Sequence, residues 1–402
     1  MESSLNPSSP PQADDPQAVS RAAANLRAAV DRARRGMVDR DVLVELLALA
    51  AVAGEHLLII GPPGTAKSAV ARAMAEALGG RYFEYLLGRF TEPSELFGPV
   101  DLRKLQEGKV ETAVDGMLPE AEIAFLDEVF KGSTAILNTL LGLLNERVFR
   151  RGHSVMRCPL RLAVGASNAL PDDPSLAAFA DRFLLRCWVE PVADPQLERL
   201  LAEGWNVETR ADDGPPPASL ADLDLLSRTA ARVDLEPVRP LIARALRTLR
   251  GAGIELSDRR AVKCQRLVAA AAVLDGRFQA DGRDLWPLVA AVPEVEDQKQ
   301  AQVVLQPLME GADNRTLSRA AELSGRGAAA RERLLLEAGR ELLGERFEGE
   351  PPRDEDGQVE TGRRLALEGL AREIDVGFAE ASRSPELGAL YGRLTELLTD
   401  EA

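Results

Sequence analysis

The residues best equipped for chemistry lie in the stretch Gly61-Pro62-Pro63-Gly64-Thr65-Ala66-Lys67-Ser68. It resembles the phosphate loop G-x-x-x-x-G-K-[ST], with alanine at the second glycine position. Backbone N–H groups at the start of a helix can wrap an anionic phosphate, and the helix dipole favours negative charge there. Lys67 would reach the β- and γ-phosphates as a point charge, while Ser68 would offer its hydroxyl to Mg²⁺. A Cβ at Ala66 crowds an approach that glycine leaves open, but alanine is small enough for the loop to adjust. The competing reading is a glycine-rich turn that happens to precede a lysine, and the flanking elements weigh against it.

A second constellation is Ile123-Ala124-Phe125-Leu126-Asp127-Glu128, an apolar run ending in two carboxylates. At the carboxyl end of a strand beside a phosphate loop, Asp127 can hold a magnesium shell and Glu128 can orient or deprotonate water. Alone, the pair would read as a solvated acidic turn. Gly165-Ala166-Ser167-Asn168 closes a further strand-like run, where the Asn168 amide could contact both a γ-phosphate and the lytic water. Asparagine is equally at home in plain loops. In Asp181-Arg182-Phe183 the fixed fork of Arg182 suits a phosphoryl group developing charge, with a structural salt bridge as the competing role. Such an arginine finger contributes about 10³ to 10⁵ in rate.

These residues need a scaffold that brings them together, and the hydrophobic pattern supplies one. Helical spacing covers residues 17–34 and about 39–53, the second stopped by Gly54. The continuous apolar run His56–Ile60 suits a strand buried on both faces of a parallel sheet. A helix over Ser68–Leu78 follows, and further strands are expected at Tyr82–Leu86, Ile123–Leu126, Leu160–Gly165 and Leu184–Val189, with a helix at Ala135–Asn145 among them. Strands alternating with helices predict an α/β core. From about residue 195 the strand signal fades. Helices are expected near 218–233, 237–251, 257–275 and 282–292, after a hinge at Asp212-Asp213-Gly214-Pro215-Pro216-Pro217. Another helical block covers 295–345, the acidic segment Glu348–Gln358 reads as a loop, and a helical pair ends the sequence.

Composition narrows the function classes. The 402 residues are 45% hydrophobic and 28% charged, enough for a large core without metal or disulfide staples. Aromatics are only 4%, and abundant alanine and leucine favour helices. A formal net charge of −15 weighs against a phosphodiester partner and against an anionic membrane surface. Cys158, Cys187 and Cys264 are scattered, and His56 and His153 are far apart, which argues against zinc and for thiols in a reducing cytosol. No stretch approaches the apolar length that spans a bilayer, and the polar N-terminus is unlike a signal peptide, so a cytoplasmic location without membrane insertion is expected.

Jointly, the Gly-Pro-Pro-Gly-Thr-Ala-Lys-Ser loop, Glu95-Leu96-Phe97-Gly98-Pro99, Phe125-Leu126-Asp127-Glu128-Val129-Phe130-Lys131 and Ala180-Asp181-Arg182-Phe183 resemble the MoxR family of AAA+ ATPases over about residues 20–300. Within it, Ser257-Asp258-Arg259-Arg260 and the helical tail look like the regulatory-ATPase-variant (RavA-like) branch, and Ala66 becomes a point in favour. The resemblance implies a P-loop NTPase core followed by an all-helical lid, with ATP and Mg²⁺ as cofactors in a hexameric homo-oligomeric ring. It implies that Gly61, Pro62, Pro63, Gly64, Thr65, Ala66, Lys67, Ser68 and Asp127 bind nucleotide, with Ser68 and Asp127 toward the metal and Glu128 as the base. Asn168 would be the sensor asparagine and Arg182 the finger for the adjacent subunit. Arg259 would be the second sensor, with Arg260 its rival at this spacing. Pro99–Leu118, turning at Gln106-Glu107-Gly108-Lys109, would be an insertion in the second helix, and Arg147–Arg161 a hairpin before Asn168.

The family works with a separate von Willebrand factor A (vWA) domain protein as a chaperone-like remodeller of protein clients. The expected layout is a disordered tail (1–16), the nucleotide domain (17–194), the lid (195–295) and a helical C-terminal extension (296–402). Alternatives from other classes are a nucleic-acid motor of the minichromosome-maintenance type, disfavoured by the acidic charge, and a chelatase-type motor subunit.

Overall fold

The computed structural model describes residues 15–399 apart from 108–110, 152–153, 172, 209–213, 310, 345–346, 348, 350–360 and 378–382. Most of the expected N-terminal tail and of the acidic loop at 348–358 therefore lies outside the described residues, as do Gly108, Lys109, Asp212 and Asp213. Among the described residues seven strands form: β1 (Leu57–Ile60), β2 (Tyr82–Leu86), β3 (Ile123–Asp127), β4 (Val148–Arg151), β5 (Ser154–Arg157), β6 (Leu162–Ser167) and β7 (Leu185–Trp188). Five of them make one parallel sheet in the order β2-β3-β6-β1-β7, which is the α/β architecture expected. β1 is buried at every position, as its unbroken apolar run requires of a central parallel strand. β2, at the sheet edge, is only partly covered and carries Glu84 between its tyrosines.

β6 starts two residues later than its hydrophobic run suggests. Arg161 donates its backbone N–H to Glu122 O, and the ladder with β3 begins at the Ile123–Leu162 pair. β4 and β5 form the expected antiparallel hairpin. It packs on the segment following β2: the Phe97 and Phe149 rings stack at 5.3 Å, and Arg151 donates to Gly98 O and Thr112 Oγ1, both at 3.2 Å. The two insertions thus lie side by side.

Helix Asp41–Ala53 shows how the core is organised. Its sequence is apolar on every side except at Asp41 and Glu45, and every residue from Leu43 to Ala53 is buried, Glu45 included. Such a helix must be surrounded. It is enclosed by helices Pro16–Arg34, Lys67–Leu78, Leu220–Ala230, Asp258–Leu274 and Ser318–Leu343, so the lid helices share one apolar core with a face of the sheet. Glu45 is tolerated inside because it accepts from the backbone N–H groups of Arg319 (3.2 Å) and Ala320 (2.6 Å), unpaired donors at the start of helix Ser318–Leu343, and from Arg34. Gly54 closes helix Asp41–Ala53 in the left-handed region (φ 67°).

The other face of the sheet packs a second cluster with helix Thr134–Glu146 and the hairpin. The shared main core ends near Ala321, whereas Leu335–Leu397 build a separate cluster from helices Ser318–Leu343, Thr361–Gly377 and Pro385–Thr399. One helix absent from the sequence-based expectation, Leu197–Glu208, follows β7. Its outward residues Leu197, Leu201 and Trp205 are exposed, so the apolar stripe reads inverted. All three cysteines are buried and free.

Polar groups at the amino ends of β1 and β7 attach the lid. Glu55, fully buried, accepts from Lys263 and, at 3.0 Å, from Arg266. Beside it His56 accepts the Ala163 backbone N–H on Nδ1 at 3.0 Å and meets Leu144 O with Nε2 at 3.0 Å, so Nε2 carries the proton of a neutral ring. Burial first, and then the Arg147 guanidinium, push the His56 pKa well below its ordinary value. An unfolded His56 takes up a proton near pH 6.5 and the folded one does not. Stability is therefore fully present above about pH 6.5 and is lost as pH falls toward the folded value, by up to about 1.4 kcal/mol per unit. Denaturant titrations between pH 7 and 5.5 should show this decline in the wild type and a shallower one in His56→Asn; equal slopes would remove His56 as the cause.

Candidate functional site

Because β1, β3 and β6 run parallel, their carboxyl ends lie on one edge of the sheet. Ile60 pairs with Ser167, and Leu126 with Gly165. The residues that follow each strand, Gly61, Asp127-Glu128 and Asn168, are delivered to the same edge. A crevice of about 390 Å³ opens there, lined by Pro63, Gly64, Thr65, Ala66, Lys67, Ser68, Leu86, Asp127, Glu128 and Asn168. This is the crevice outside the carboxyl ends where open α/β sheets bind ligands.

The loop is shaped by contacts that a larger residue would break. A Cβ on Gly61 would sit 2.1 Å from Val189 O, at the exit of β7. Gly64 adopts φ 81° and Ala66 φ 63°, both left-handed. The expectation for Ala66 was crowding of a ligand by its Cβ; the structure adds a backbone cost, about 1–2 kcal/mol for a non-glycine residue there. Ala66 is the N-cap of helix Lys67–Leu78 and makes no side-chain cap, leaving the first N–H groups of the helix for an anion. Thr65 Oγ1 donates to Pro62 O at 2.9 Å and tightens the turn.

Lys67 folds back on its own loop, donating Nζ to Gly61 O at 2.7 Å and Pro62 O at 2.9 Å. Burial lowers its pKa, and the carboxylates of Asp127 and Glu128 act in the opposite sense. The Asp127 carboxylate accepts the Glu128 N–H at 2.9 Å. Glu128 has φ 49°, a left-handed strain at the position where β3 must turn its second carboxylate into the crevice. Its Oε1 accepts from Asn168 Nδ2 at 2.9 Å and lies 3.3 Å from Lys131 Nζ. Asn168 therefore touches Glu128 directly. Ser68 and Asp127 put a hydroxyl and a carboxylate on the same crevice, hard oxygen donors of the kind that suit Mg²⁺.

The expected arginines stand elsewhere. Arg182 precedes β7 at its amino end, the edge opposite the loop. Arg260 is 2% exposed and donates to Ala291 O, Phe183 O and Leu184 O and to Asp181 Oδ1 at 2.6–3.3 Å, which makes it the bolt joining lid to sheet. Its neighbour Arg259 points outward and donates to Asn145 Oδ1 at 2.7 Å. Neither Arg182 nor Arg259 lines the crevice of its own chain. Sequence reasoning missed Arg40, whose buried guanidinium donates to Thr65 O within the loop. No motif marks it, and only a buried arginine at the start of a helix could have drawn attention.

The family of MoxR domains found in MoxR–vWA–β-propeller ternary systems matches residues 24–228, just over half of the chain. Two uncharacterised proteins of Methanocaldococcus jannaschii are each 36% identical over 252 residues, 62% of this chain but only 66% and 64% of their own lengths, just under two thirds. The MoxR protein of Paracoccus denitrificans is 29% identical over 163 residues, 38% of this chain and 46% of its own. The crystal structure of a presumed ATPase from Cytophaga hutchinsonii superposes with a TM-score of 0.59 at 16% identity, covering 74% of this chain and 97% of that one, a likeness of fold. With its crevice built from a phosphate loop, an acidic strand end and an asparagine, the chain belongs to the MoxR family of AAA+ ATPases.

Proposed function

We propose that the chain binds Mg·ATP in the crevice and hydrolyses it within a hexameric homo-oligomeric ring, as a chaperone-like remodeller of protein clients. The meeting of Lys67, Asp127, Glu128 and Asn168 in one crevice carries this reading. The Lys67 ammonium, now on two loop carbonyls, has a short path to incoming phosphates. Ser68 and Asp127 would hold Mg²⁺, which neutralises phosphate charge. Glu128, already in contact with Asn168, is positioned to orient or deprotonate water, and Asn168 to relate that water to the γ-phosphate.

Arg182 precedes β7 at the amino end of that strand, Arg259 donates to Asn145, and neither lines the crevice of its own chain, so a nucleotide they served would be the adjacent subunit's. The ring is the arrangement that brings them to one. A separate vWA partner is supported by the ternary systems for which the matching family is named. The RavA-like branch rests on Ser257-Asp258-Arg259-Arg260 and the helical tail. The net charge of −15 disfavours nucleic acid as the client. Among the described residues no helix is long and apolar enough to cross a membrane.

Lys67→Ala should weaken ATP binding by at least about tenfold, the worth of one charge-assisted contact; calorimetry showing unchanged affinity would end the assignment. Glu128→Gln should bind ATP normally and turn over about 10² or more times slower, and near-normal turnover would place the base elsewhere. Arg182→Ala subunits mixed into wild-type rings should depress activity beyond their share of the mixture. A strictly proportional loss would show that the arginine serves only its own chain.

A further inference from the structure

We infer that Arg40 is a positioning residue of the nucleotide site, holding the Thr65 carbonyl so that the following Ala66 N–H is turned and polarised toward the phosphates. The inference rests on the nucleotide reading above. Arg40 is 5% exposed and binds carbonyl oxygens from three segments. Nε donates to Thr65 O at 3.0 Å, Nη2 to Glu190 O at 2.8 Å just past β7, and Nη1 to Asp39 O at 2.6 Å. Burying a guanidinium is costly, and its pKa is lowered by that burial ahead of any other influence. The residue before it, Asp39, takes φ 58°, a left-handed backbone that non-glycine residues rarely adopt. A costly cation behind a strained turn does more than fill space.

The geometry says what it does. A trans peptide sets its C=O and N–H in opposite directions. With Thr65 O fixed on Arg40, the Ala66 N–H of the same peptide is directed away from Arg40. Thr65 and Ala66 both line the crevice, and the Ala66 N–H is the donor just ahead of helix Lys67–Leu78. A charge-assisted bond on the carbonyl polarises the peptide, so its N–H becomes a better phosphate donor. Through Glu190 O the same guanidinium keeps the loop in register with the exit of β7.

Steady-state ATPase kinetics and melting curves on the full-length chain test this. Arg40→Met keeps the length and removes the fork and charge. KM for Mg·ATP should rise roughly tenfold while kcat stays within about threefold, and Arg40→Lys, with one point charge, should recover part of the affinity. A lower melting temperature with unaltered KM would make Arg40 a plain staple and overturn the inference. Should Arg40→Met lose its cooperative melting, Arg40→Lys decides: KM raised about threefold or more supports the assignment, and KM equal to wild type overturns it. A wild-type chain that binds Mg·ATP no better than Lys67→Ala would instead remove the nucleotide reading, a separate result.

Discussion

The site depends on how closely the chain leaving β1 passes the chain leaving β7. Gly61 N donates to Ser167 O at 3.1 Å on one side, and on the other Val189 N donates to Ile60 O at 2.8 Å. Between them no room remains for a side chain at Gly61. Pinned from both flanks, the chain can only turn outward through Pro62 and Pro63 before re-entering as a helix. That turn produces a cradle of backbone N–H groups at the sheet edge, where Asp127, Glu128 and Asn168 arrive from β3 and β6. The cradle is thus a by-product of strand order: β1 sits between two parallel neighbours, and its exit turns outward between them.

The two adjacent arginines on helix Asp258–Leu274 show why sequence spacing could not separate their roles. Consecutive helical positions differ by about 100° in direction, so one faces the sheet and the other solvent. Arg260 takes the inward direction and saturates four oxygens. Arg259, turned away from that cluster, donates instead to the Asn145 amide oxygen. Since the lid is fastened at the amino ends of β1 and β7, neither Arg259 nor Arg260 lines the crevice at the opposite edge of the sheet.

Much of this was legible in the sequence because it is local. The apolar run of β1, the carboxylates ending β3 and the glycine closing helix Asp41–Ala53 each carry their own signal within a few residues. What was not legible is long-range. Arg40 meets Thr65 and Glu190 only after the sheet has formed, and no periodicity announces it. Helix Leu197–Glu208 displays its apolar residues outward, contrary to the inward stripe by which helices are recognised. Helix Asp41–Ala53 is apolar on nearly every side, which marks it as buried, but which five helices surround it is again a long-range matter. The start of β6 was misjudged for a related reason: Leu160 is buried without belonging to the ladder.

The left-handed backbones at Ala66 and Glu128 have opposite consequences for anyone improving this protein's heat tolerance. Glycine relieves the strain at either position, so selection on residual fold after heating would accept both exchanges. At position 66 the exchange restores the ordinary loop and costs no chemistry. At position 128 it deletes the carboxylate that faces Asn168. A library sorted by survival alone would therefore enrich rigid chains stripped of the Glu128 carboxylate, and only a turnover screen run alongside would reveal the trade.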